Sequence, residues 1–525
     1  MPSQIYNPYM PSWEYIPDGE PHVFGDRVYV YGSHDRFNAP IFCMNDYVCW
    51  SAPVNDLTDW RYEGVIFLKK QDPVNKLGLH LLFAPDIAQG TDGKFYLYYA
   101  FDFLGLIGVA KGDSPVGPFE YYGLVHYQDG TPFGRRKGDE FPFDPGVLVD
   151  DDGKVYLYSG FYTKVPAILS GFHNLKNTGG VGMELASDML TIVQEPRVIF
   201  PRQGEGSFPD HEFFEASSIR KDGDRYIFVY SSRHNHELCW AWSLSPLDGY
   251  TYGGTLVDQG DLYLGSDAVD ASSVASKSLT CGSVAFSDRE RAAGNEAYAK
   301  NYLGNTHGGM AKINGQWYIF YHRQTNRHSY SRQACAEKLV RTEDGRFLQA
   351  EVTSCGLNNG NLVGSGKYAS SICCHLWSKD GVGRYDTSSP RRRFAEHPYL
   401  TQTGKDRESD PDQYVANMRD GAVCGFKYFD PADAQTIEVE LTGVGEGVLE
   451  VFTSELAPGV TEAASEVSEM EPAARIEVTL GGTHKSPAGR KKIFGSVFKT
   501  PSEAFPLYFR YTGTGAVNFH SFTLK

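Results

Sequence analysis

The chain has 525 residues, 41% of them hydrophobic, a formal charge of -16, and no apolar run long enough to span a bilayer. Such a length exceeds what one core normally supports and points to about two to three domains, one large and one small. The acidic balance, with no dense basic stretch to offset it, excludes nucleic acid, polyphosphates and anionic lipid as partners and favours a neutral or weakly charged ligand.

The opening Met1-Pro2-Ser3-Gln4 lacks a basic region followed by an apolar one, so a cytoplasmic location is expected. The nine cysteines include Cys43, Cys49 and the adjacent Cys373-Cys374, but no C-x-x-C; buried free thiols are expected rather than a disulfide framework. Aromatic residues are abundant, with 33 Tyr, 32 Phe and 7 Trp. Most of them suit the cores of β-sheets, and such faces also stack on sugar rings.

Helical periodicity is scarce along the chain, while one pattern recurs five times: a Gly turn and then an aromatic strand. The copies are Gly25-Asp26-Arg27-Val28-Tyr29-Val30-Tyr31, Asp92-Gly93-Lys94-Phe95-Tyr96-Leu97-Tyr98 and Asp152-Gly153-Lys154-Val155-Tyr156-Leu157-Tyr158, followed by Asp222-Gly223-Asp224-Arg225-Tyr226-Ile227-Phe228 and Asn314-Gly315-Gln316-Trp317-Tyr318-Ile319-Phe320. Each reads as a type I′ hairpin joining the first two strands of a sheet. A spacing of roughly 60 to 90 residues suits a four-stranded blade with long loops. The expected architecture is therefore all-β: a five-bladed β-propeller over 1–340, a connector over 341–392, and a C-terminal β-sandwich over 393–525.

Upstream of each Gly turn, at an offset of about seven to nine residues, stand Asp18, Asp86, Asp144, Glu215 and His307. Side chains alternate faces along a strand, so equal offsets in successive blades aim at one place, the central axis. Their neighbours are apolar or proline-rich, as in Ile16-Pro17-Asp18, Phe143-Asp144-Pro145 and Phe213-Phe214-Glu215. Buried carboxylates persist when paired, ligated or catalytic. Carboxylates facing one another, with no G-x-S-x-G, P-loop or G-x-G-x-x-G in the chain, point to glycoside hydrolysis: one protonated group as acid, one ionised group as base or nucleophile. A third acidic group keeps the acid protonated by like-charge repulsion.

Pro17-Asp18, then Phe143-Asp144-Pro145, then Phe213-Phe214-Glu215-Ala216-Ser217-Ser218 resemble, in order and spacing, the motifs of glycoside hydrolase family 43 from about residue 5 to 325. The resemblance implies a five-bladed propeller and inversion, with Asp18 as general base, Glu215 as general acid and Asp144 tuning and orienting the acid. This chain has Asp18-Gly19 where the family often shows Asp-Pro. The resemblance further implies that His307, in Asn305-Thr306-His307-Gly308-Gly309, meets an axial calcium ion through water. No organic cofactor is expected. Asp86 is expected as a structural hydrogen-bond acceptor, and Trp13, Phe83 and Arg323 as sugar contacts.

The implied activity is release of a terminal pentose from short oligosaccharides, by an α-L-arabinofuranosidase or β-D-xylosidase. A galactofuranosidase, an arabinopyranosidase, a retaining propeller glycosidase and a non-catalytic sugar-binding propeller remain alternatives. The C-terminal segment is similar to family 6 carbohydrate-binding modules; binding sugar and bracing the propeller both remain open for it, as does oligomeric state.

Overall fold

The computed structural model describes residues 4–525 except 163–164, 234, 263, 265–298, 386–390, 409–410, 459–469 and 482–490. Among the described residues the only helices are 3-10 turns of three or four residues, and no helix is long and apolar enough to cross a membrane.

Each Gly turn joins the first two strands of an antiparallel sheet: Glu20–Phe24 with Arg27–Tyr31, Leu82–Gln89 with Phe95–Phe101, Gly146–Val149 with Val155–Ser159, Phe213–Asp222 with Arg225–Ser232, and Met310–Ile313 with Gln316–Gln324. All five glycines have positive φ, a conformation that costs glycine little. The type I′ expectation holds at Asn314-Gly315, where both central residues have positive φ. It is corrected elsewhere. Gly25-Asp26 and Gly223-Asp224 carry positive φ at the first position alone, as type II′ requires. In the second and third sheets the loop has three residues and Gly93 or Gly153 takes its left-handed position; Gly90 N donates to Lys94 O and Asp150 N to Lys154 O.

Four sheets have at least four strands, the third extended by a parallel pairing with His126–Tyr127. The fifth has three strands, and the N-terminal segment lies along its outer strand, Arg332–Lys338. Tyr9 N donates to Ala334 O, and the Asn7 side chain bonds both Ala336 N and Ala336 O. A parallel bridge between Gly19 and Gly308 joins the first and last inner strands, closing a five-bladed propeller.

The repeated aromatic strand explains how blades stack. Alternate side chains face opposite neighbours, so Leu97 and Tyr99 pack with Tyr31 and Tyr47 of the first blade, while Tyr96 and Tyr98 pack with Val155 and Leu157 of the third. Equivalent cores fill the three remaining interfaces. Burying each such large side chain contributes about 1.5–3 kcal/mol, so every second strand cements two interfaces at once.

The C-terminal β-sandwich is organised by two long antiparallel strands, Thr436–Phe452 and Phe505–Leu524, paired from Ile437↔Leu524 to Phe452↔Tyr508. The stretch 341–392, expected as a connector, contributes Leu362–Val363, Gly366–Ala369 and His375–Trp377 to this assembly. Tyr368, Leu376 and Trp377 are buried in its core, so their apolar pattern serves packing rather than linkage.

Candidate active site

The inner strands begin with unusual backbone. Asp18 and Asp144 have φ of 58° and 45°, two residues ahead of the first inner-strand residues Glu20 and Gly146. In the fourth blade register shifts flank Glu215, and Ala216 has φ of 69°. Left-handed residues and bulges at strand starts turn side chains off the regular alternation. Here they deliver Asp18, Asp144 and Glu215 to one cavity of about 320 Å³, which His307 also lines. All four are buried.

Phenylalanines wall this pocket: Phe42, Phe83, Phe103, Phe143, Phe161 and Phe214. Asn305, Ser329, His236, Arg332 and Arg384 add polar atoms. Phe83 thus stands where a sugar contact was expected. Trp13 and Arg323 do not, which corrects that expectation. Trp13 packs on Trp50 with ring centroids 5.8 Å apart, beneath the Arg407 guanidinium. Arg323 is buried and donates to Ser371 O (2.6 Å), Cys373 O (2.8 Å) and Gln333 Oε1, tying the sandwich to the fifth blade.

Asp86 lies below the pocket. Its Oδ1 meets His22 Nε2 at 2.6 Å and its Oδ2 accepts from Val147 N at 2.8 Å, a structural role joining three blades. Counted from the hairpin, Asp86 pairs with Tyr98 as Glu20 pairs with Tyr31, two residues nearer the turn than Asp18, because Gly93 ends a three-residue loop whereas Gly25 begins a two-residue one.

The carboxyl groups are set to opposite protonation states. Burial alone would raise Asp18, but Arg332, His307 and His322 outweigh it and hold the group below its usual range. Arg332 Nη1 donates to Asp18 Oδ1 at 2.9 Å. Glu215 is pushed well above the carboxylate range, first by burial and then by the negative charge of Asp144. Asp144 Oδ2 also accepts from Ala216 N at 3.1 Å, so it pins the backbone beside Glu215. His307 Nδ1 lies 3.4 Å from Asp144 Oδ2. Burial opposes its charge, yet Asp144 and Asp18 raise the imidazole to about 9.

Sequence spacing missed Arg332 because it stands on an outer strand of its blade, away from the repeated offset. It could be found only as a lone arginine among apolar and small residues in Arg332-Gln333-Ala334-Cys335-Ala336.

The groups on the axis beneath the pocket fit a calcium ion. Glu20 Oε1 is buried without a hydrogen-bond partner, whereas Oε2 takes Arg220 at 2.7 Å and Ser218 at 3.0 Å. A Cβ on Gly309 would lie 2.2 Å from Glu20 Oε2, so glycine keeps that space open. Asp18, Glu20, Asp86, Asp144 and Glu215 crowd this axis, with Arg220, Arg332 and His307 as the nearby cationic groups. An orphaned carboxylate oxygen in such a setting suits a hard divalent cation.

An ionised carboxylate and a protonated one sharing a sugar-sized, aromatic-walled pocket are the equipment of a glycosidase. Residues 16–347 match the family described as Glycosyl hydrolases family 43, so the chain belongs to that family and is a glycoside hydrolase. It is 42% identical over 528 residues to a xylosidase/arabinosidase of Thermoclostridium stercorarium, covering 100% of this chain and 99% of the relative. It is 33% identical over 282 residues to xylosidase/arabinosidase 43A of Humicola insolens, covering 46% and 80% of the two chains. A solved family 43 β-xylosidase/α-arabinofuranosidase from a compost microbial metagenome, in complex with xylotriose in a calcium-free form, is 24% identical with a TM-score of 0.46, covering 64% and 94%.

Proposed function

We propose that the enzyme is an exo-acting, inverting α-L-arabinofuranosidase and/or β-D-xylosidase that trims terminal pentoses from short plant-derived oligosaccharides. The observation that carries this reading is the opposite biasing of two buried carboxyls, Asp18 downward and Glu215 upward, in one pocket. End-to-end similarity to a xylosidase/arabinosidase supports the sugar class.

In this mechanism the terminal sugar lies against the phenylalanine walls. Asp18, kept ionised by Arg332, takes a proton from a water molecule as that water attacks the anomeric carbon. Glu215 gives its proton to the leaving oxygen as the glycosidic bond breaks. Asp144 holds Glu215 through Ala216 N and keeps the acid's proton on at neutral pH. The attacking water arrives on the face opposite the leaving group, so the anomeric configuration inverts.

Calcium belongs to the same proposal, with Glu20 and His307 as the groups that would hold it, His307 through water. Its contribution would be positive charge beneath the carboxylates. The eight described cysteines are free thiols, which supports a reducing, cytoplasmic setting.

Substrate preference, stereochemistry and two variants test the reading. A panel of 4-nitrophenyl arabinofuranoside, xyloside, galactofuranoside and arabinopyranoside should show turnover highest on the first two. Proton NMR of the first turnovers should show the opposite anomer; initial retention of configuration would overturn the mechanism. Asp18→Ala should lose activity on every glycoside, since general-base help is worth about a hundred- to ten-thousand-fold. Glu215→Ala should lose most on poor leaving groups and least on aryl glycosides.

A further inference from the structure

Arg384 reaches the catalytic pocket from outside the five blades. It stands on Arg384–Tyr385, a two-residue strand that pairs in parallel with Leu303–Gly304, immediately ahead of the pocket residue Asn305. The placement is rigid. Tyr385 stacks on Tyr302 with centroids 4.7 Å apart and planes 4° from parallel, Phe394 closes on it edge-to-face at 4.8 Å, and Ser329 Oγ donates to Tyr385 O at 2.6 Å. These rings belong to the core of the C-terminal sandwich. The guanidinium is therefore presented to the propeller's pocket by a strand that pairs with Leu303–Gly304 and is rooted through Tyr385 in the hydrophobic core of the C-terminal sandwich.

Within the pocket it touches the fourth blade. Arg384 Nη1 donates to Asn235 O at 3.4 Å, and the next residue, His236, meets the ring of Phe214 edge-on at 4.5 Å. Phe214 adjoins Glu215. Arg384 thus lies against the fourth blade, the blade that carries the acid, whereas Arg332 of the fifth blade holds the base. The acid protonates the leaving oxygen, so the sugar that departs must lie on the acid's side. A fork of N–H donors there suits the hydroxyl oxygens of a neutral sugar ring, whereas a nitrophenyl ring carries no hydroxyl and offers only its weakly accepting nitro oxygens.

The rest of the sandwich agrees with this division of labour. Tyr15 OH donates to Gln402 Oε1 at 2.6 Å and Arg407 Nη1 to Glu14 Oε1 at 2.7 Å, fastening the segment that leads to Asp18. Every aromatic side chain described between 362 and 525 is buried or half-buried, employed in packing.

We propose that Arg384 is a substrate-binding residue that grips the leaving-group sugar, so that the sandwich completes the active site and sets the preference for oligosaccharides over simple glycosides. This rests on the glycosidase reading above. The test compares a pentosyl disaccharide, xylobiose, with 4-nitrophenyl xyloside in the full-length wild type, Arg384→Met and Arg384→Lys. The ratio of kcat/KM on the disaccharide to that on the aryl glycoside should fall by about tenfold or more in Arg384→Met, mainly through KM, the scale of a lost charged hydrogen bond. Arg384→Lys should recover part of it. Circular dichroism and Tm establish folding, and the lysine variant carries the test if the methionine variant does not fold. A ratio unchanged in both variants, or equal losses on both substrates, overturns the proposal. Wild-type protein active on 4-nitrophenyl arabinofuranoside alone carries the same comparison over to an arabinofuranosyl disaccharide, and wild-type protein inactive on the arabinosides and the xylosides alike instead overturns the pentosidase reading on which the proposal stands.

Discussion

Arg332 donates to Asp18 Oδ1 through Nη1 at 2.9 Å while its Nε and Nη2 hold Asp35 at 2.8 and 3.0 Å, so one buried guanidinium serves two buried carboxylates. The arrangement keeps Asp18 ionised without surrounding it by solvent. It also fixes which oxygen of Asp18 is spent on the arginine and which is left for the reaction.

Replacing this arginine tests the base. In Arg332→Lys the forked geometry is lost though the charge stays, and Asp18 should move upward from its lowered position. The acid limb of the kcat/KM profile then shifts to higher pH, and activity at neutral pH falls by about tenfold or more. A profile superimposable on that of the wild type would remove Arg332 from the mechanism. Arg332→Ala is the poorer variant, since it leaves Asp35 buried and unpaired at a cost of about 3–5 kcal/mol.

Asp144→Asn tests the acid. Burial is the larger cause of the raised Glu215 and the Asp144 charge the next. Removing that charge should lower the alkaline limb of the profile but leave it above that of an ordinary carboxylate, near pH 4.3. Glu215→Gln should abolish the limb altogether on substrates with poor leaving groups. An alkaline limb that stays put in Asp144→Asn would show that Asp144 only positions Glu215, through Ala216 N.

Metal removal tests the axis. Exhaustive chelation should lower Tm or kcat, and added calcium should restore it. Glu20→Gln should weaken the calcium response while Asp18 and Glu215 remain in place. Metal analysis of the purified protein supplies a reading independent of turnover. Unchanged Tm and kcat after verified removal would leave His307 as the partner of Asp144 alone.

Glu337 offers a prediction about stability. It is buried between Asn7 Nδ2 (2.7 Å) and Thr353 N (2.8 Å), and burial, opposed by the Thr353 bonds, pushes it up to about 8. The folded protein keeps a proton that the unfolded chain releases above about pH 4.3. Its stabilising effect is therefore full below that pH and is lost as pH rises towards 8. Glu337→Gln should show a Tm advantage over the wild type that grows from pH 5 to 8; parallel Tm curves would contradict it.

Much of the architecture was legible because its signals are local. A Gly with positive φ followed by alternating aromatics marks each blade wherever it falls, and the same alternation dictates which interface each ring enters. Asp18, Asp144, Glu215 and His307 could be read from their offsets because each leads into an inner strand. Asp86 shared the offset but not the level, since an offset counted from the Gly does not register whether that Gly opens a two-residue loop, as Gly25 does, or ends a three-residue one, as Gly93 does. Arg332, Arg384 and Phe42 come from outer strands and loops whose separation from the axis varies between blades, so no spacing announces them. Trp13 and Arg323 show the converse: chemistry suited to a sugar, spent on packing Trp50 and on anchoring Ser371 and Cys373.

The seating of the N-terminal segment on the fifth blade has a consequence for biosynthesis. Ile5, Tyr9, Met10, Val28 and Val30 are buried against Ala311, Phe320 and Ala334, residues that leave the ribosome some 300 positions later. At about 5–20 residues per second, that face waits roughly 15–60 s for its cover. The nascent first blade is thus a natural client for chaperones, and a bulky N-terminal fusion would obstruct the last step of ring closure rather than the first.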